Sequence, residues 1–297
     1  MSRFSSFIAE LRPEVDAALD RLLPPVEAEP ARLHDAMRYC IFAGGKRFRP
    51  AMLTLGGEIY HAPRELLLGP AAAMEMIHTF SLVHDDLPAL DDDGLRRGRQ
   101  TVHLRFDEAT AILAGDALLN QAIYCLSREP ADADAAVRCR GIEMAAEAVG
   151  SFGMIGGQAA DIEAEREWPA DPVSALETVH RRKTGQLLVL SLCLGGLYAG
   201  AGEPELALLR ELGKRIGVLF QIGDDILDVE GESAELGKTA GKDQAAGKLT
   251  YPALFGLEES RRRLSLQAEE TLALIESFPS RQEVLLDLVR YLLERDH

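Results

Sequence analysis

Five carboxylates crowd into nine residues at Asp85, Asp86, Asp91, Asp92 and Asp93, and three arginines follow at Arg96, Arg97 and Arg99. Clustered oxygen ligands suit a hard divalent cation such as Mg²⁺. Planar guanidinium groups suit bidentate grip on phosphate. Together they ask for a ligand that brings both phosphate and metal. The plain alternative is a solvated acidic loop followed by a basic turn. Against it, the acids begin directly after an apolar run, residues 74–83, and a second acidic cluster lies far downstream at Asp224, Asp225 and Asp228.

The two clusters differ in spacing. On a helix Asp224 and Asp228 are separated by only about 40° and point the same way, one turn apart. Such a pair repels, more so between apolar neighbours, and a cation between them removes the cost. The alternative is one carboxylate in an ion pair and the other in water. Asp85 and Asp91 are six residues apart, roughly 240° on an ideal helix, and Pro88 forbids a regular helix between them. The spacing therefore predicts a helix end near Asp85, with residues 87–90 bulging so that Asp91 swings back toward it.

Further polar groups sit at helix junctions. In Gly44-Gly45-Lys46-Arg47-Phe48-Arg49-Pro50 the glycines bare the backbone for close approach of a ligand. Lys46 and Arg49 can face one oxyanion from successive turns; a junction with solvated bases is the alternative. The Gly-Lys-Ser/Thr order of a nucleotide-binding loop is absent. His78 lies two turns before Asp85, on nearly the same face. In His180-Arg181-Arg182-Lys183-Thr184-Gly185, Lys183 and Thr184 can present an ammonium and a hydroxyl to phosphate at a helix kink. Gln158 and Asp161, at i and i+3, fit a local hydrogen-bonded pair. Residues 231–248 carry Lys238 and Lys248 among glycines, as a mobile lid over an anion or a plain linker.

The elements that must position these groups are helical. Of 297 residues, 47% are hydrophobic and only 6% aromatic; alternating β-branched runs are scarce. Apolar periodicity and Gly/Pro breaks predict helices over 5–23, 33–42, 51–60, 71–84, 104–126, 137–155, 173–194 (interrupted at 180–185), 203–229, 251–257 and 261–294. The formal net charge of −16 argues against a nucleic-acid partner. Cys40, Cys125, Cys139 and Cys193 have neither metal-ligand spacing nor a paired framework, as in reduced thiols of a cytoplasmic protein. Residues 1–20 lack a signal pattern. The apolar stretch 187–202 is short and holds four glycines, so a buried helix is expected there and not a membrane span.

In order, these motifs resemble the short-chain trans-prenyl diphosphate synthases of the bacterial farnesyl diphosphate synthase type. The matching segments are 44–50, Asp85 to Asp91 with Arg96-Arg97-Gly98, Lys183-Thr184-Gly185, Phe220-Gln221 leading into Asp224 to Asp228, and the Lys238 and Lys248 loop. They span nearly the whole chain. The resemblance implies one domain, residues 1–297: an all-α bundle around a deep central cavity, usually a homodimer. It implies condensation of isopentenyl diphosphate with dimethylallyl or geranyl diphosphate by ionisation, condensation and proton loss.

It further implies roles. Several Mg²⁺ ions would be held by Asp85, Asp91 and Asp224, with Asp86, Asp225 and Asp228 in support. Arg96, Lys183, Lys238 and Lys248 would hold the allylic diphosphate, and Thr184 and Gln221 would border the emerging cation. Lys46, Arg49, His78 and Arg97 would hold isopentenyl diphosphate without metal. Phe80, five residues before Asp85, would floor the cavity and stop growth at C15, although a helical wheel puts Ser81 more directly below Asp85. Three positions depart from the family's habit: Phe48 stands where Leu is frequent, Gly94 where a fourth acid is frequent, and Gly223 precedes Asp224. A geranyl or geranylgeranyl diphosphate synthase is the nearest alternative. A non-catalytic partner subunit would typically lose an Asp motif, and a terpene cyclase would not need the second cation set.

Overall fold

The computed structural model describes residues 2–230 and 248–294. Helices α1 (Arg3–Leu22), α2 (Ala31–Ile41), α3 (Phe48–Glu58) and α4 (Arg64–Asp85) are followed by a two-stranded hairpin, β1 (Leu95–Arg96) and β2 (Arg99–Gln100). Next come α5 (Val102–Arg105), α6 (Glu108–Arg128), α7 (Ala135–Val149), α8 (Met154–Arg166) and α9 (Pro172–Val179). A π-helical turn, His180–Gly185, joins α9 to α10 (Gln186–Tyr198). The chain then forms α11 (Glu203–Glu230), α12 (Tyr251–Phe255), α13 (Leu257–Ile275) and α14 (Gln282–Glu294). The all-α expectation holds, and the hairpin is the only sheet among the described residues.

The core forms around α3, α4 and α10. Thirteen residues of α4 are buried, and the described apolar residues of α10 are buried almost all round. Small residues let these helices approach. A methyl group on Gly56 would lie 2.4 Å from the Leu192 carbonyl oxygen, and one on Gly195 2.0 Å from that of Leu53. Side chains at these two places would force α3 and α10 apart. Residues 187–202 are thus a packed core helix and its turn. Two other helices, α4 and α6, are long and apolar enough to cross a bilayer; α4 is 72% buried along that stretch and α6 44%.

Several boundaries differ from expectation; the run 104–126 is interrupted after Arg105, and its long helix begins at Glu108. Gly69-Pro70 does not break α4, which starts at Arg64 and runs through Pro70. Pro70 lies in the second turn, where it removes a ladder bond, and the burial of Gly69, Pro70 and the residues after it offsets that loss. The run 137–155 is cut at Gly150–Gly153, where Gly150 ends α7 and Met154 begins α8. The run 261–294 is two helices, separated by a turn that includes Phe278 and Arg281, the latter at φ 59°. Cys40, Cys125 and Cys193 are buried free thiols, pushed up by desolvation to about 12, 11 and 11.

Candidate active site

The first acidic cluster starts where α4 stops. Asp86 caps the helix through Asp86 N–H to the Leu82 carbonyl (3.0 Å), and the chain then turns back on itself. Leu90 N–H donates to Leu87 O (2.9 Å), Asp91 N–H to Asp85 O (2.8 Å) and Asp93 N–H to Asp86 O (3.2 Å). The bulge at 87–90 exists as the proline dictates, and it clips Asp91 to Asp85. Burial drives the Asp85 carboxyl up to about 7; Asp91 and Asp86 push the same way, against Lys183 and Arg96.

The carboxylates of the cluster divide. Asp86 is buried and accepts from Arg96 Nε at 2.9 Å; Arg96 also reaches Asp93 Oδ2 at 3.1 Å. Asp86 therefore anchors the arginine-bearing hairpin in this structure, and Asp85 and Asp91 face the cations beyond it. Lys248 Nζ lies 3.4 Å from Asp91 Oδ1 and 3.3 Å from Glu165 Oε1. Lys238, the other lysine assigned to the allylic diphosphate, lies outside the described residues.

Lys183 arrives from the π-helical turn. Wider than an α turn, it inserts one extra residue and re-aims the side chains after it; the kink expected at Lys183-Thr184-Gly185 takes this form. Helix α8 clamps it: a methyl group on Gly157 would sit 2.3 Å from Lys183 N. One turn on, Asp161 Oδ2 accepts from Lys183 Nζ at 2.6 Å. Burial alone would lower the Lys183 ammonium, but Asp161, Asp85 and Asp91 together raise it. The expected Gln158–Asp161 pair does not form. Asp161 turns to Lys183 across the helices, and Gln158 Oε1 is buried with no hydrogen-bond partner among the described residues. Thr184 is half-buried beside Lys183.

The second cluster rides on α11, which continues unbroken through Gly223. Asp225 is buried, accepting from Tyr251 N–H at 2.8 Å. His180 Nε2 is 3.7 Å from the same oxygen, and its ring stacks on Tyr251. Asp225 thus ties α11 to α12 and the π-helical turn. Asp224, half-buried like Gln221, lies within electrostatic reach of Arg49. Asp228 is buried one turn further on.

A separate cation group surrounds the Gly44–Pro50 junction. Arg47, at φ 53°, is buried: it donates to Asp16 (2.7 Å), Glu75 (2.8 Å) and the Ile41 carbonyl (2.9 Å). It is the internal peg of the loop. Arg97 donates to the Gly44 carbonyl and lies 3.7 Å from Glu75. Arg49 meets His78 Nε2 at 3.0 Å. Burial lowers Arg49 to about 10 and pushes His78 well below its usual range, helped by Arg49, Arg97, Arg96 and Arg47. Neutral His78 therefore accepts a hydrogen bond from Arg49. Lys46 is exposed and donates to the Tyr291 hydroxyl (2.9 Å), so it and Arg49 do not converge on one point here. Phe48 packs against Phe4 and Phe220, with centroids 5.8 and 5.6 Å away, linking this junction to α11 just before Gln221.

Phe80 is buried with its ring edge-on to His84 at 5.8 Å, and Ser81 Oγ donates to the His78 carbonyl (2.9 Å). Asp16, Glu75 and Glu165 escaped the motif search, because each serves a cation contributed by another element; Asp161, expected to pair with Gln158, serves one as well. Glu75 alone carried a signal: an acid inside an apolar run.

The donor set fits Mg²⁺ in kind: hard carboxylate oxygens, with the Asp91 backbone clipped to that of Asp85 and the Asp85 carboxyl driven up to about 7, first by burial. Among the described residues no three acidic, histidine or cysteine side chains yet form a ready metal cage.

The fold and site define a helical synthase class with two acidic motifs and a separate basic group, and the comparisons say which. The polyprenyl synthetase family model matches residues 30–291, so the chain belongs to the polyprenyl synthetase family. It is 46% identical over 255 residues to farnesyl diphosphate synthase of Escherichia coli, covering 84% of each chain. It is 39% identical to geranylgeranyl pyrophosphate synthase 4 of Arabidopsis thaliana, covering 99% of this chain and 78% of the relative. The crystal structure of an FPP/GFPP synthase from Zymomonas mobilis superposes with a TM-score of 0.86 at 33% identity, covering 98% of both.

Proposed function

We propose that the protein is a Mg²⁺-dependent trans-prenyltransferase that joins isopentenyl diphosphate to dimethylallyl or geranyl diphosphate, with farnesyl diphosphate as its product. The observation that carries this reading is the division of charge. Lys183 faces the Asp85–Asp91 clip, and Arg49, His78 and Arg97 form a second group around Glu75. One diphosphate with metal and one without fit those two groups. Relatives named farnesyl diphosphate synthase support the product.

Bound Mg²⁺ would supply positive charge to the leaving diphosphate through Asp85, Asp91 and Asp224. Lys183, raised and held by Asp161, stays charged and steadies the same group. Arg96, pinned by Asp86, adds a fixed guanidinium. The C–O bond of the allylic substrate breaks, the allylic carbon bonds to isopentenyl diphosphate, and the released diphosphate takes the lost proton. Thr184 and Gln221 border the cation and offer no strong nucleophile. Neutral His78 with Arg49, Arg97 and Lys46 would orient isopentenyl diphosphate. Lys238 and Lys248 are assigned to the allylic diphosphate, and Asp225 and Asp228 to support of Asp224.

Chain length is assigned to Phe80, with Ser81 beside it. Phe80→Ala should lengthen the main product beyond C15 when prenyl alcohols are sized after dephosphorylation; an unchanged length would remove Phe80 from that role. The protein is read as a cytoplasmic homodimer. The exposed apolar side chains Ile112, Leu113 and Tyr124 on α6 support the dimer.

A further inference from the structure

A cavity of about 1110 Å³ opens between α7, α9, α10, α11 and α13, with His180 and Tyr251, the two residues that hold Asp225, in its wall. None of Asp85, Asp91, Asp224 or Phe80 lines it. Its wall includes residues 180, 181, 185 and 186, which bracket Lys183 and Thr184, neither of which lines it. The side chains that would hold the reacting diphosphates do not line it, and it meets the second acidic cluster only through His180 and Tyr251 behind Asp225.

Its chemistry is amphipathic. Val189, Val218 and Ile222 give it apolar walls, and Leu266 and Phe152 stand at its rim 47% and 85% exposed. Water-facing apolar side chains around a concave space mark a binding site more than a bare surface. Five of the lining side chains are cationic and three acidic, an inversion of sign in a chain of net charge −16. Arg210 and Lys214 stack at i and i+4 on α11, and Arg181 faces the space from the π-helical turn. His180 Nδ1 is buried beside it without a hydrogen-bond partner among the described residues. The volume slightly exceeds the upper end of the usual small-molecule range of ~300–1,000 Å³.

We infer that this cavity is a second ligand site, for an anion with a long apolar tail whose phosphate head meets Arg210, Lys214 and Arg181. A neutral or cationic amphipath lacks the charge complement, and a polar anion leaves the apolar walls wet.

The test is calorimetric titration of the full chain, without Mg²⁺, with dodecyl phosphate, farnesyl monophosphate and dodecyltrimethylammonium. Two variants lie outside the proposed catalytic machinery: the surface double change Arg210→Glu with Lys214→Glu, and Thr178→Trp, which fills the space from α9. The expected result is saturable 1:1 binding of a phosphate probe, weakened at least tenfold by each variant, with no binding of the cation. Preference for the branched tail assigns the natural ligand to prenyl phosphates, and preference for the straight tail to acyl lipids; either supports the site. No saturable binding, or binding of equal affinity in wild type and both variants, overturns it. The same preparations assayed for prenyl condensation keep a failure of this site distinct from a failure of the proposed activity.

Discussion

Asp85 is held where its charge is least welcome. Its backbone carbonyl accepts from Asp91 N–H, and its carboxyl is pushed up to about 7, first by burial. The unfolded chain releases this proton near pH 4, so between there and about 7 the folded chain binds one proton more. Stability falls as pH rises through that window, and above it the cost is complete. Removing the charge should therefore stabilise. Asp85→Asn should raise the metal-free protein's unfolding free energy by ~1–3 kcal/mol at pH 8 and change it little at pH 4. The same variant should lose ~10²–10³-fold in condensation rate. Thermal melts at the two pH values, without Mg²⁺, check the sign; destabilisation at pH 8 would show that the carboxylate is paired and not strained. Arg47 is the opposite case. Its charge is satisfied by Asp16 and Glu75 inside the fold, so it shapes the loop that carries Lys46 and Arg49 and does not reach for substrate.

At the scale of elements, the π-helical turn and α8 act as one part. Gly157 allows the close approach, and Asp161 then fixes Lys183. Gly157→Ala should push the turn away and raise KM for the allylic diphosphate at least tenfold, leaving KM for isopentenyl diphosphate within about twofold. A steady-state split between the two substrates, on protein with unchanged helical circular dichroism, reads it; equal effects on both would refute the clamp. Much of this was legible in the chain: Pro88 between two acids foretold the bulge, and three cations before Gly185 foretold the broken helix. What escaped were ion pairs between elements distant in sequence. Periodicity places Asp161 on a helix face, but only the packing of α8 on the turn shows that Lys183, and not Gln158, is its partner. Likewise Pro70 looked like a stop, and helix packing overrode it. The 137–155 run looked continuous because its glycines suit both close packing and a turn.

On the scale of the whole molecule, α6 presents exposed apolar side chains to solvent. On α6, Ile112 and Leu113 are 45% and 57% exposed, and Tyr124 joins them three turns further along. A dimer through this face should give twice the 32.4 kDa chain mass by light scattering, and Leu113→Asp should shift it to monomer; a monomeric wild type would contradict the assembly. All-α architecture and the order of the charged motifs were evident from the chain, whereas the second cavity was not, since it is made by gaps between helices and not by any one segment. The most direct test of the central claim is to supply purified protein with isopentenyl diphosphate and Mg²⁺, plus dimethylallyl or geranyl diphosphate in separate reactions, and size the prenyl product. A C15 product from both starters, abolished by chelation of the metal, is the result predicted. A folded protein that condenses neither starter would contradict it.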